Sequence, residues 1–265
     1  MGQKEKFVTF KKIGMTHKDF YYLFVLHQLQ QEDLHAAVLF QRLHETFPEK
    51  SLSRAHFYNT VREMADTYQW ITARREGKKL IYSLTPHGLD KYRSYSQQFF
   101  QRFATMKDTA HNFLTFMSNK QQEEPSFPPL SLEEQRFFSR LIKVRDIVRY
   151  FMLRHLIQKR SVYGFELYQW LKEKFGWQSS EAYLYELLHE MEAFLWIEGK
   201  WDDPERRRKK LYRISKEGLD AYPTVEQKAF ATVSSVHTFM KEILSILPNT
   251  NEQNVVQKLK KLQKL

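Results

Sequence analysis

The hydrophobic and polar positions of the chain follow one pattern twice, first over residues 20–92 and again over residues 146–222. Each copy begins with an apolar helix, predicted at 20–31 and 146–158, and continues with a second helix at 34–46 and 164–175. A third helix follows Ser53 or Ser180, which are suitable N-caps, and extends to about Tyr68 or Leu195. This internal similarity predicts two domains of one design.

Two short strand-like runs follow the third helix in each copy. They occupy residues 70–74 and 79–85 in the first copy, and 196–201 and 210–215 in the second. Three helices, a two-stranded hairpin and a trailing helix are typical of a winged helix-turn-helix. We therefore predict a mainly α fold with small β-hairpin wings (α+β), built as two tandem winged helix-turn-helix domains, each followed by a long trailing helix.

Apolar residues recur every three or four positions along each trailing helix, which marks a single apolar face. They are Tyr95, Phe99, Phe103, Met106, Phe113 and Met117 in the first copy, and Val225, Val233, Val236, Met240, Ile243 and Leu247 in the second. Matching stripes of this kind predict a pairing seam between helices, within one chain or between two chains. The alternative is that each helix packs only on its own domain.

These patterns divide the chain into five segments. They are a basic N-terminal arm (1–19), a first repeat with its trailing helix (20–118), a proline-rich linker (119–131), a second repeat with its trailing helix (132–247) and a basic amphipathic tail (248–265). The tail is expected to dock on a partner helix rather than on a membrane surface.

Charge and composition narrow the classes of function. The 265 residues carry a formal net charge of +11, which suggests an anionic partner, although the two repeats are themselves nearly balanced. The chain has no cysteine, which excludes disulfides and thiolate metal sites. The longest apolar run, Phe20 to Leu26, is too short to span a bilayer, and no signal peptide is recognised, so a cytoplasmic protein is expected.

Several segments of the second repeat carry a family resemblance. YGFELY (163–168), SSEAYLYELLHEME (179–192) and RRRKKLYRISKEGL (206–219) resemble, in order and spacing, the PadR-type transcriptional regulators. The resemblance covers 146–247 well and 20–118 less well, where SRAHFY (53–58) and YSLTPHGL (82–89) remain. The replication terminator proteins of bacilli are similar in design.

The resemblance implies a homodimer that binds DNA in the bacterial cytoplasm. Such a protein would belong to the nucleoid or be encoded by a phage or plasmid. In both families one chain normally carries one winged domain. This chain carries two, so it could act as its own pseudo-dimer.

In a helix-turn-helix the third helix enters the major groove and the wing contacts the phosphate backbone. Arginine and asparagine are the side chains that read guanine and adenine by paired hydrogen bonds. The candidate DNA-binding residues of the first repeat are Ser53, Arg54, His56, Asn59, Arg62, Arg74, Arg75, Lys78 and Lys79. Those of the second repeat are Ser180, Tyr183, Arg206, Arg207, Arg208, Lys209 and Lys210.

The two third helices differ in charge. The second contains Glu181, Glu186, Glu190 and Glu192 and neither lysine nor arginine, so phosphates should repel it. The two repeats are therefore expected to contribute unequally to the recognition of DNA sequence.

The predicted function is sequence-specific binding of double-stranded DNA by a transcriptional regulator, most simply a repressor. One alternative is a replication-arrest or DNA-segregation protein with the same surface. Another is a protein-interaction module whose second winged domain no longer binds DNA. A third is a small-molecule sensor with Trp170, Trp177 and Phe103 lining a pocket.

Catalytic and cofactor signatures are missing from the sequence. It contains no phosphate-binding glycine motif, and no two of its histidines are spaced i, i+4. We therefore predict neither enzymatic activity nor a metal or cofactor.

Overall fold

The computed structural model describes residues 9–48, 52–118, 130–175, 179–203, 205 and 208–248. The first half of the chain contains α1 (His17–Gln31), β1 (Leu34–His35), α2 (Ala36–Thr46), α3 (Arg54–Asp66), β2 (Ile71–Glu76), β3 (Lys79–Leu84) and α4 (Pro86–Ser118). The second half contains α5 (Leu132–Leu141), α6 (Val144–Lys159), β4 (Ser161–Tyr163), α7 (Gly164–Phe175), α8 (Glu181–Ala193), β5 (Ile197–Trp201), β6 (Lys210–Ile214) and α9 (Lys216–Ser245).

The predicted fold class is confirmed, because the described chain is mainly helical with two small antiparallel sheets. The predicted helices and hairpins are present to within a few residues. Each sheet also has a third strand that the sequence did not predict. β1 pairs with β3 at Leu34 and Tyr82, and β4 pairs with β6 at Ser161 and Arg213. These strands join the helix-turn-helix to the wing in each repeat.

The core of each repeat surrounds its first helix. Thr16 begins α1 with a capping box, in which its hydroxyl accepts from the Asp19 amide while the Asp19 carboxylate accepts from the Thr16 amide. All seven residues from Phe20 to Leu26 are buried, and so are the α6 residues from Tyr150 to Leu156. A helix enclosed by apolar contacts on most of its surface is a rigid base for the elements that pack on it.

The chain forms two compact units whose borders differ from those of the repeats. Within the described chain, the first unit comprises 9–107 with 238–248, and the second comprises Asp108–His237. The long helices α4 and α9 are therefore each divided between the units. A trailing helix contributes apolar surface along its whole length, so its two ends can belong to different cores.

In the first unit, the end of α9 packs on the first repeat. The Tyr92 hydroxyl donates to the Ile246 carbonyl at 3.0 Å, and the Ser96 hydroxyl donates to the Pro248 carbonyl at 2.7 Å. The Phe239 ring lies 5.9 Å from the Phe10 ring.

In the second unit, the end of α4 packs on the second repeat. Arg154 donates to the Phe116 carbonyl at 2.8 Å, and the Phe113 ring lies 5.7 Å from the Phe151 ring. The rings of His111 on α4 and His237 on α9 are 5.7 Å apart.

Three of the predicted boundary segments need correction or fall outside the described residues. Residues 9–19 do not form an arm, because Phe10, Ile13 and Met15 are buried in the first unit and α1 already begins at His17. The end of the predicted linker includes Ser131, which caps the unpredicted helix α5. Residues 1–8, 119–129 and 249–265, which contain the rest of the arm, linker and tail, lie outside the described residues. No described helix is both long and apolar enough to cross a membrane.

Candidate nucleic-acid interface

The helix α3 presents a polar face to solvent. The Ser53 hydroxyl caps it by accepting from the His56 amide, while Phe57, Val61 and Met64 are buried. The four predicted base-contacting residues are all exposed: Arg54, His56, Asn59 and Arg62. Helical spacing places Asn59 and Arg62 opposite the buried face, whereas Arg54 is the first residue of α3 and lies near the Phe40 and Tyr58 rings. The exposed side of α3 therefore combines two guanidinium groups, an imidazole and a carboxamide.

One carboxylate fixes the orientation of α3 on the first helix. Glu63 accepts hydrogen bonds from Lys18 at 2.6 Å and from the Tyr22 hydroxyl at 3.1 Å. The hydrogen bond from Lys18 is the main cause of a lowered pKa of Glu63, and the same bond raises the pKa of Lys18. Because Glu63 is engaged with α1, the outer face of α3 keeps its positive character.

The first wing is a tight hairpin with four exposed cations, three of them around its turn. Gly77 adopts φ +60° at its turn, a left-handed conformation that glycine adopts without strain. Arg75, Lys78 and Lys79 are exposed around this turn. Arg74, although also predicted as a DNA contact, lies 2.6 Å from Asp33 and 2.9 Å from Glu76.

Helix α8 of the second repeat begins with the same kind of cap as α3 but exposes different side chains. Ser180 caps it by accepting from the Tyr183 amide, as Ser53 caps α3. Glu181, Glu186 and His189 are exposed where α3 carries Arg54, Asn59 and Arg62. The outer face of α8 thus lacks the guanidinium groups of α3.

Most acidic side chains of α8 are neutralised by neighbours. Arg149 lies 2.5 Å from Glu190, and Arg145 bridges Glu186 at 3.0 Å and Glu190 at 2.9 Å. The predicted repulsion of phosphates by α8 is therefore weaker than its sequence indicates.

The second wing holds one of its cations internally. Lys210 lies 2.6 Å from Glu192, and both side chains are largely buried. Arg208 and Lys209 are exposed, while Arg206 and Arg207 lie outside the described residues. The two predicted cations that are exposed thus lie in the loop between β5 and β6, and Lys200 on β5 and Arg213 on β6 are exposed as well.

The twelve residues predicted to form the pairing seam are all buried. The Tyr95, Phe99 and Phe103 rings form a stacked series in the first unit. Burial is what a seam requires, and it is also what packing on a domain core requires.

The candidate pocket residues of the sensor hypothesis occupy separate settings. Trp170 packs on His155 with ring centres 4.1 Å apart, Phe103 stacks on Phe99, and Trp177 lies outside the described residues. The second unit does contain a cavity of about 470 Å³, lined mainly by apolar and aromatic residues of α5, α6 and α7, with Phe113 of α4 and Tyr183 of α8. Within the described residues, no group of three or more histidine, aspartate or glutamate side chains could hold a metal ion.

The ion pairs that orient α3, α8 and the wings were not predicted. Their members include Lys18, Asp33, Arg149 and Glu192. One signal was available in the sequence: Lys18 and Glu63 align with Arg145 and Glu190 when the repeats are superposed. Recurrence of an opposite-charge pair at equivalent positions predicts a contact.

Comparison with known proteins gives a family match for the second repeat. Residues 152–223 match the model of the "Transcriptional regulator PadR-like family". The matched segment extends from α6 into α9 and includes the helix-turn-helix and wing of the second repeat. No curated protein matches the chain.

Two solved structures of a MarR mutant from E. coli are similar to parts of the chain. The first covers 52% of this chain and 100% of the MarR chain, at 13% identity and a TM-score of 0.28. The second, a complex with operator DNA, covers 63% and 91%, at 13% identity and a TM-score of 0.27. TM-scores this low carry no argument about fold or function. The family match together with the helix-turn-helix and wing described above shows that the second repeat is a winged-helix domain similar to those of the PadR-like family.

Proposed function

We propose that the chain is a transcriptional regulator that binds double-stranded DNA in a sequence-specific manner and acts as a repressor. The observation that carries the proposal is the exposed face of α3, on which Arg54, Asn59 and Arg62 stand in a helix-turn-helix whose wing exposes further cations. This combination supplies both side chains that read base edges and charges that hold phosphates.

The first repeat makes most of the contacts that distinguish one DNA sequence from another. The exposed side of α3 carries Asp66 at its C-terminal end, whereas Glu63 is bound to Lys18 and Tyr22. Arginine and asparagine at the outer positions suit guanine and adenine in the major groove. The exposed cations of the first wing, Arg75, Lys78 and Lys79, suit phosphates on either side of that groove.

The second repeat adds affinity more than sequence choice. Its wing loop exposes Arg208 and Lys209, and the sequence places Arg206 and Arg207 beside them. Internal neutralisation of Glu186 and Glu190 lowers the cost of bringing α8 near a phosphate backbone. Ser180 and Tyr183 at the start of α8 are the polar groups available for contacts there.

We further infer that α4 and α9 pair within one chain along the predicted seam, and that a second copy adds a homodimer. The ring contact of His111 on α4 with His237 on α9 supports the pairing in the second unit, and the hydrogen bond from Tyr92 on α4 to Ile246, directly after α9, supports it in the first. Two winged units in one chain then act as a pseudo-dimer on DNA.

A test of this function measures binding of the full chain to duplexes. Selection from a random 30-base-pair duplex library should enrich a common sequence, and affinity for it should fall as salt is raised. A chain that binds no duplex at low salt, or binds with no dependence on salt, would contradict the proposal. Footprinting on an enriched duplex then separates a palindromic site, expected for a dimer, from an asymmetric one, expected for a single chain.

A second candidate for the second repeat is a protein contact. Phe194 and Leu195, at the end of α8, are 51% and 65% exposed, whereas the first repeat has Tyr68 and Gln69 at these places. If Arg208→Ala and Lys209→Ala leave duplex affinity unchanged, this second role is favoured over DNA contact.

A further inference from the structure

The middle of β2 in the first wing carries an ion-pair network that joins three segments of the first repeat. Asp33 lies between α1 and β1, and its carboxylate accepts from Arg74 on β2 at 2.6 Å. The same carboxylate is bound by the Ser83 side chain on β3. Asp33 therefore contacts both long strands of the wing from outside the hairpin.

The guanidinium of Arg74 is engaged on two sides. One terminal nitrogen donates to Asp33, while Nε, at 3.0 Å, and the other terminal nitrogen, at 2.9 Å, approach Glu76. An approaching phosphate would have to compete with two carboxylates for these donors. The neighbouring Arg75, Lys78 and Lys79 are exposed, and no ion pair to them is seen among the described residues.

The second wing also pairs a cation with a carboxylate, in a more enclosed setting and from different elements. Lys210 at the start of β6 is paired with Glu192 at the end of α8, and their side chains are only 14% and 21% exposed. The pair lies over Gly199 on β5, where an added Cβ would clash with both Lys210 and Glu192. Each wing thus binds one of its cations to a carboxylate of its own domain.

We propose that Arg74 is a positioning residue, which fixes the direction of the first wing through Asp33, and that phosphates are bound by the cations around the wing turn. The proposal rests on the function proposed above and deepens it, since it separates two groups of basic residues that the sequence does not distinguish. A wing held against the rest of its domain presents its turn in one direction, which lowers the entropic cost of binding DNA.

The variant Asp33→Asn distinguishes two roles of Arg74, phosphate binding and positioning of the wing, because they predict opposite changes in duplex affinity. If Arg74 binds phosphate, Asp33→Asn frees its guanidinium, removes a negative charge and strengthens duplex binding. If Arg74 positions the wing, Asp33→Asn weakens binding about two- to fivefold, the range expected for one exposed ion pair. The double variant Asp33→Asn/Arg74→Ala should then bind no more weakly than Arg74→Ala alone.

Glu32→Gln is the matched control, because Glu32 is the adjacent carboxylate and pairs with Arg42 at 2.8 Å instead of with the wing. It removes the same charge and should not weaken binding. Stronger or unchanged duplex binding by Asp33→Asn overturns the positioning role, and so does an additive effect in the double variant.

A second measurement needs no DNA. The chain has no cysteine, so spin labels can be attached at Lys78→Cys on the wing and Asp66→Cys at the end of α3 without removing native thiols. We expect a narrow distribution of distances in the labelled parent and a broader one after Asp33→Asn. An unchanged distribution overturns the proposal even if duplex binding weakens. If the parent chain binds no duplex at all, the proposed function fails while the distance measurement still decides whether Arg74 and Asp33 fix the wing.

Discussion

Lys18 on α1 lies 2.6 Å from Glu63 on α3, and the second repeat reproduces this relationship with Arg145 and Arg149 against Glu190. In both repeats a cation of the first helix binds a carboxylate on the inner edge of the third helix. The partners differ in chemistry, since a lysine and a tyrosine act in one repeat and two arginines in the other. What the repeats share is an ion pair that ties the third helix to the first.

The loss of stability caused by removing the Glu63 carboxylate should depend on pH. The pKa of Glu63 is lowered in the folded state, so its contribution is fully present above the unfolded value and disappears as pH falls through the folded value. Glu63→Gln should therefore lower the melting temperature near neutral pH, and the difference from the parent should shrink below about pH 4.5, near the unfolded value. Thermal melts from pH 3 to 7 measure it. Glu45→Gln, on an exposed carboxylate of α2, is the control and should give little change at any pH.

Arg62→Ala should relax sequence choice. If the guanidinium makes a bidentate contact with a base, its removal costs roughly 1–3 kcal/mol on the selected duplex and much less on unrelated duplexes. Titrations with both duplexes measure the ratio. His189→Ala changes the equivalent position of α8 and should leave that ratio unaltered. Equal effects in the two variants would show that the first repeat does not make most of the contacts that distinguish DNA sequences.

Replacing Arg75, Lys78 and Lys79 by alanine should weaken binding to all duplexes alike. For each phosphate that these side chains no longer neutralise, the plot of log affinity against log salt concentration should become less steep by about 0.9. Affinities at four or more salt concentrations give the slope. A triple variant with the parent slope would exclude the first wing from the interface.

Phe103→Asp and Val236→Asp should destabilise the folded chain strongly. Both side chains are completely buried, and removing a large apolar group from the core costs about 1.5–3 kcal/mol before the burial of a charge is added. Denaturant unfolding measures the change. Phe230→Asp, on a 41% exposed residue of α9, is the matched control. Duplex affinity should fall with stability in the first two variants, although neither residue is placed on the proposed DNA surface.

The homodimer can be tested by sedimentation at micromolar concentration. A mass twice that of the 32.1 kDa chain is expected. A monomer mass together with full duplex binding would leave the intrachain pseudo-dimer as the functional form.

The sequence predicted the parts of the fold that recur in both repeats at helical or strand spacing. The α3 face followed from buried Phe57, Val61 and Met64, whose spacing implies where Asn59 and Arg62 lie. The strands β1 and β4 escaped prediction because two or three residues give no measurable alternation. Helix α5 escaped because it directly follows a proline-rich stretch that is typical of a linker.

Pairings between distant residues were the main limit for the candidate site. Arg74 and Asp33 are separated by 41 positions, so nothing local distinguishes Arg74 from Arg75. The neutralisation of Glu190 by Arg149 is equally remote in sequence, and without it α8 looks more acidic than it is. A sequence shows how many charged groups are present. The charge that a surface offers to a ligand depends on which of those groups are already paired within the protein.

The hydrogen bonds from Tyr92 to Ile246 and from Ser96 to Pro248 join residues 154 and 152 positions apart. During synthesis from the N-terminus, the first repeat emerges from the ribosome long before the segment that completes its core. Contacts over such separations also close slowly, because the entropic cost of closing a long loop is met before they form. The nascent first repeat must therefore wait with part of its apolar surface uncovered, and chain termination anywhere before Ile246 would leave it permanently incomplete.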